Sequence, residues 1–320
     1  MGLREVTFEL AKGLVSILAP KQLHGPRVID PRTLTATIEV FSQPGHGKTS
    51  YLWALLFMLR KLSLVWPDYL CWSQDEPTTL ALRAVQEALI AGRLPAPAGD
   101  AARYSLALQR LDRWGRRPLI VWDRRDPVFS PGEADASSGE APAWGAPALW
   151  LISLPDLDAT EEQLIDLRFE ELMRARMAAG RSSGRDPLKL IVALTKADAI
   201  ADLPAALRRY LKEDRLGESQ GAASPAAVAP TSIPESLSAQ HYLATLWRVD
   251  AEIRTWLQQR AAGQMLLRRA AEYHVDPRFA IVSAIGSGIA GGKSNLLSWS
   301  PRRVLDPLFW ALELDTPRAS

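Results

Sequence analysis

The sequence predicts an α/β protein, with a mostly parallel sheet covered on both faces by helices. Short apolar runs without clear alternation recur at 35–41, 117–123, 147–154, 188–195 and 278–285, as buried strands require. Helical stretches lie between most of them, and strands that alternate with helices form parallel sheets. A third observation is local. The first run is followed by a glycine loop and then by a long apolar helix, the setting in which phosphate-binding loops occur.

Taken in order, residues 1–34 read as an N-terminal extension with one helix. "TATIEVF" (35–41) is the first strand, and the helix after the loop spans 47–64. "EPTTLALRAVQEALIAG" (76–92) carries helix-start chemistry and a glycine stop. "RYSLALQRL" (103–111) alternates and suits a more exposed strand, and "RPLIVWD" (117–123) is a buried one. Residues 124–147, rich in Pro, Gly and Ser, read as a loop. After the strand "PALWLISL" (147–154), one helix over 158–180 places acids in its first turn and arginines late, as the helix dipole prefers. The strand "LKLIVALT" (188–195) leads to a linker at 214–235 and a single amphipathic helix over 237–272. Leu246, Val249, Ile253, Trp256 and Leu257 share one stripe of that helix. "RFAIVSAI" (278–285) is the last strand. The domain reading is an extension (1–34), a body (35–313) whose insertion (214–275) precedes the last strand, and a tail (314–320).

Composition narrows the classes. The chain has 320 residues, 47% hydrophobic and 23% charged, with a net charge of +2. Its arginine pairs are scattered and read as solvated faces, so there is no specific nucleic-acid signal. "YLWALLFMLRKLSLVW" (51–66) is too short for a membrane span and is interrupted by Arg60-Lys61. Glu5 and Glu9 interrupt the apolar core that a signal peptide needs. The single Cys71 excludes an internal disulfide and a cysteine-built zinc centre, which makes a reducing cytoplasm the expected compartment.

The chemistry begins at "FSQPGHGKTS" (41–50). A phosphate loop follows G-x-x-x-x-G-K-[ST], with backbone amides and a helix N-terminus converging on an anion. Gly45, His46, Gly47, Lys48, Thr49 and Ser50 supply such a loop, although Ser42 replaces its first glycine. Lys48 neutralises phosphate and Thr49 offers a hydroxyl to Mg²⁺. Asp123, at a strand tip, is the second Mg²⁺ candidate. "LIVALTKAD" (190–198) ends in a Thr-Lys-x-Asp quartet. There Thr195 closes the strand, Lys196 lies along a base, and Asp198 accepts two hydrogen bonds that guanine offers and adenine does not. The same residues also fit an ordinary strand-to-helix turn with Asp198 as its N-cap. Ser283-Ala284, after the last strand, places a backbone N–H toward a guanine oxygen.

GKT, Asp123, TKAD and Ser-Ala occur in the order used by translation-factor-like P-loop GTPases, and over 35–313 the chain resembles that superfamily. "GHGKTSYLWAL", "AGRLPAP" ahead of a strand and "SPRRVLDPLFWAL" more narrowly resemble the bacterial double-GTPase families of NTPase-driven conflict systems. The resemblance implies a Ras-like P-loop NTPase three-layer fold, with GTP or GDP and Mg²⁺ as cofactors.

The departures concern hydrolysis. Where such GTPases read D-x-x-G, this chain reads "DRRD" (123–126), with Pro127 next. Asp126 adds a like charge beside a γ-phosphate. The stretch before the second strand has no Thr; Ser105 is a poor substitute, and Thr78 and Thr79 fall on a helix. Arg124 and Arg125 read equally as phosphate contacts and as solvated loop arginines. With Asp126 they are the catalytic candidates, and no catalytic residue is assigned. Three functions follow: a GTPase switch, a guanine-nucleotide-binding module with slow or lost turnover, and an ATPase or kinase with a fortuitous TKAD. The eroded D-x-x-G favours the second, and TKAD followed by Ser-Ala disfavours the third. Helix 237–272 and loop 124–147 are the expected contact regions for a protein partner.

Overall fold

The computed structural model describes residues 35–90, 103–123, 146–180, 188–214, 238–286 and 300–315, apart from 65, 67, 68, 112, 113, 115, 160 and 161. In chain order the elements are β1 (Ala36–Ser42), α1 (Lys48–Lys61), β2 (Leu70–Ser73), α2 (Glu76–Ile90), β3 (Arg103–Gln109), β4 (Arg117–Asp123), β5 (Ala148–Ser153), α3 (Leu154–Ala159), α4 (Glu162–Gly180), β6 (Leu190–Thr195), α5 (Ala205–Lys212), α6 (Ala239–Leu257), α7 (Ala261–Glu272), β7 (Arg278–Ile281) and α8 (Asp306–Asp315). The extension 1–34, residues 124–145 of loop 124–147 and residues 215–235 of the linker lie outside the described residues, and Arg124, Arg125 and Asp126 with them.

The strands form one seven-stranded sheet in the order β2-β3-β4-β1-β5-β6-β7. β4, β1, β5, β6 and β7 run parallel, and β3 alone runs against its neighbours. Every residue of β5 and β6 is buried, as the unbroken apolar runs require of strands covered on both faces. β1 sits between β4 and β5. The chain builds one side of the sheet after β1 and the other side after β4, so the order reverses at β1. In open α/β sheets the crevice at the carboxyl ends of strands flanking such a reversal is where ligands bind.

The structure differs from the sequence expectation in three places. The interior of β3 is buried rather than exposed, because β2, unforeseen from the pattern, pairs along its outer edge. The helix expected over 158–180 is two helices, α3 and α4. The single helix expected over 237–272 is also two, with the chain turning back at Gln258–Arg260. Arg260 leaves the helical region (φ −124°, ψ 135°), and α7 starts so close to the end of α6 that a Cβ on Gly263 would stand 2.2 Å from the Leu257 carbonyl oxygen. The stripe Leu246, Val249, Ile253, Trp256 and Leu257 is buried within this chain, with α6 against β7 and α7 against α4. That stripe therefore does not form the partner surface expected of 237–272.

The last helix closes the core. Asp306 through Leu312 of α8 are buried, and α8 packs on β1, β6 and β7. Phe309 stacks on Trp114 at 5.4 Å and meets Trp66 and Tyr242 edge-on. Asp306, wholly buried at the start of α8, accepts from the hydroxyls of Tyr210 (2.6 Å) and Tyr242 (2.5 Å). Burial pushes its carboxyl up to about 7, against the opposing pull of Arg303 and the two tyrosines. Among the described residues no helix is long and apolar enough to cross a membrane.

Candidate functional site

The loop between β1 and α1 is built by two glycines. Gly45 and Gly47 both have φ +84°, a conformation that side-chain-bearing residues rarely adopt. Ser42 does not need to be glycine, because it is still strand: it closes β1 opposite Leu151 and is buried. Gly47 occupies the N-cap of α1 without a capping side chain, and no acidic residue stands in the first turn. A helix start ordinarily gains from a capping oxygen or a carboxylate. Here Lys48 is the first residue of the helix.

Topology brings Asp123 to this loop. β4 pairs with β1 so that Val40 lies opposite Asp123 at the strand tips. Lys48 Nζ then lies 2.7 Å from Asp123 Oδ1, with both side chains largely buried. Thr49 and Ser50 follow in the first turn of α1, half-buried. Among the described residues no group of three or more His, Cys, Asp or Glu converges to hold a metal unaided. A Mg²⁺ ion at Thr49 and Asp123 would take the rest of its ligands from phosphate oxygens and water.

The other end of the site lies at the tips of β6 and β7. Thr195, buried at the end of β6, donates through Oγ1 to the His46 carbonyl (2.7 Å) and ties the two loops together. Lys196 adopts a left-handed backbone (φ 56°, ψ 32°), and the Ala197 amide donates to the Val282 carbonyl beyond β7. Asp198 is exposed, and one of its oxygens accepts from Ser283 Oγ at 2.5 Å. The Gly286 amide donates to the same hydroxyl (3.1 Å). The Ser283 backbone exchanges both its hydrogen bonds with Arg302. Gly286 has φ +81°, and a Cβ there would stand 2.9 Å from the Ser300 carbonyl oxygen. Ala284 is buried beside it. Asp198 is not the N-cap of the following helix, since α5 begins at Ala205 with Pro204 in that position.

His46 enters the site through its backbone. Its ring turns inward, with Nδ1 at 3.3 Å from both the Ser153 amide and the Leu151 carbonyl. Burial lowers its pKa, against smaller opposing effects of Leu151 and Asp156. The ring's Nε2 lies 3.9 Å from Asp156, and the same carboxylate oxygen lies 3.5 Å from Lys196 Nζ. The sequence motifs miss Asp156. The signal that finds it is topological: β5 lies between β1 and β6, so a carboxylate just past its end falls between the two loops.

Thr78 and Thr79 are in α2, as expected. Thr78 Oγ1 accepts from the Ser105 amide and Thr79 Oγ1 donates to the Asp75 carbonyl, so both hydroxyls serve local structure. A separate cavity of about 320 Å³ lies between α5 and α6, and none of the loop residues lines it. No protein-family model matches the chain, and no curated protein matches it.

Proposed function

We propose that this chain is a guanine-nucleotide-binding protein of the Ras-like P-loop kind, a switch or sensor with slow or lost GTP hydrolysis that acts through protein partners in a reducing cytoplasm. One observation carries the reading. Four motifs that lie far apart in sequence meet at one end of the sheet through direct contacts: Lys48 with Asp123, His46 with Thr195, and Asp198 with Ser283. They surround the point where strand order reverses. The α/β architecture is compatible with a Ras-like fold.

In this reading the amides at the start of α1 and the Lys48 ammonium hold the phosphates. Bound Mg²⁺ would neutralise charge on the phosphate oxygens, held by Thr49 and, through water, by Asp123. Asp198 accepts from the guanine ring N–H and amine, and the loop at Ser283-Ala284 faces the guanine oxygen. The hydrolysis reading rests on the sequence at 123–126 alone. An active GTPase of a bacterial conflict system is the alternative, carried by the narrower resemblance. Titration with GDP and with ADP, each with Mg²⁺, tests the proposal. GDP is expected to bind in clear preference. Equal binding of ADP removes the base assignment, and binding of neither removes the whole reading.

A further inference from the structure

We propose that Asp156 is a positioning residue of this site: its carboxylate holds the Lys196 ammonium away from Asp198, so that the lysine stem forms a wall for the base. The inference rests on the nucleotide reading above and adds a residue outside the four motifs.

Asp156 lies just past β5, where the gap between the phosphate loop and the base turn opens. The groups that face it come from each neighbouring element: Lys196 from the turn after β6 (3.5 Å), His46 from the loop after β1 (3.9 Å), and Ser153 from the end of β5. Its neighbours Ser153, then Lys196 and His46, hold its carboxyl below the usual range. The Lys196 backbone is fixed by its left-handed turn, with the Ala199 amide on its carbonyl (3.0 Å). Its side chain has four rotatable bonds and is only held where a partner holds it.

The other carboxylate of the turn is Asp198, two residues on, already carrying Ser283 on one oxygen. A lysine that swung onto Asp198 would occupy the acceptor that reads guanine. Asp156 draws the ammonium toward the phosphate-loop side and leaves the acceptor open. Lys196 and Asp156 are 42% and 45% exposed, so the pair adds little to stability, and its effect is on placement.

Calorimetric titration of the full chain with GDP and, separately, with inorganic pyrophosphate tests this. Pyrophosphate probes the phosphate loop alone. Asp156→Asn is expected to weaken GDP about three- to fivefold, the range of a partly exposed charge pair, and to leave pyrophosphate unchanged. Asp156→Glu restores GDP binding. In a Lys196→Met background Asp156→Asn has no further effect on GDP. The proposal is overturned if Asp156→Asn binds GDP like the wild type, if GDP and pyrophosphate weaken together, or if the loss persists in the Lys196→Met background. A wild-type chain that binds neither probe overturns the nucleotide reading itself.

Discussion

At the β6–β7 end of the site, Asp198, Ser283 and Arg302 are joined by hydrogen bonds to hydroxyl and backbone. At the β1–β4 end, Lys48 and Asp123 are joined by charge, beside a helix start with neither a capping side chain nor an acid in its first turn. In the first arrangement the Ser283 backbone is fixed and one oxygen of Asp198 is already bonded. The second is an ion pair at the N-terminus of a helix, where the macrodipole is positive. Recognition of a flat, neutral base needs acceptors fixed in advance. Capture of a polyanion needs uncompensated positive potential. In the proposed reading the two demands fall on opposite sides of β5, at the carboxyl ends of the strands.

The comparison breaks most visibly at Lys48. Lys48→Ala removes the loop's cation and should weaken GDP or GTP by about ten- to a hundredfold, the worth of a charge-assisted contact. Unchanged affinity in a titration ends the phosphate-loop assignment. At the other end, Asp198→Asn should leave the fold intact and reduce the preference for GDP over ADP by about tenfold, since a site rejects a base that leaves its polar groups unpaired. Competition between the two nucleotides reads this directly. An unchanged ratio removes Asp198 from base reading.

Turnover sharpens the contrast further. Phosphoryl transfer is mostly positioning and charge stabilisation. A chain with Asp126 in place of the γ-contacting glycine should therefore release phosphate slowly or not at all. Asp126→Gly should raise GTP affinity or hydrolysis a few-fold. Rapid release by the wild type, or its loss in Asp126→Gly, would make Asp126 catalytic.

The smallest expected effect is a slope. Asp306 is pushed from 3.8 up to about 7 in the folded chain, so the native state keeps a proton that the unfolded chain releases. Its contribution to stability is full below pH 3.8 and is lost as pH rises through about 7. Melting temperature measured across that range should carry this downward component in the wild type and lack it in Asp306→Asn. Superimposable profiles would mean that Asp306 is ionised in the fold at all these pH values.

Legibility in the sequence followed the same division between local and long-range causes. β5 and β6 could be read because strands buried on both faces need unbroken apolar runs. The turn between β1 and α1 could be read because its glycines and lysine lie together in the sequence. β2 could not: it is the four residues "LCWS", and it exists because β3 offers a backbone edge. The break at 258–260 carries no proline or glycine of its own; the clue was Gly263, inside α7, whose need for a bare Cα arises only once α6 lies against it. Asp156 stayed hidden because spacing along the chain does not say which strands are neighbours.

The bridge between Ser283 and Arg302 has a consequence for biosynthesis. The phosphate loop and the turn at Lys196–Asp198 emerge from the ribosome well before the chain reaches the residue that braces Ser283. A growing chain that has not yet reached Arg302 lacks the strand partner of Ser283 and the helix that begins at Asp306. Ser283, the hydrogen-bond partner of Asp198, is therefore braced only after the turn it serves has been made.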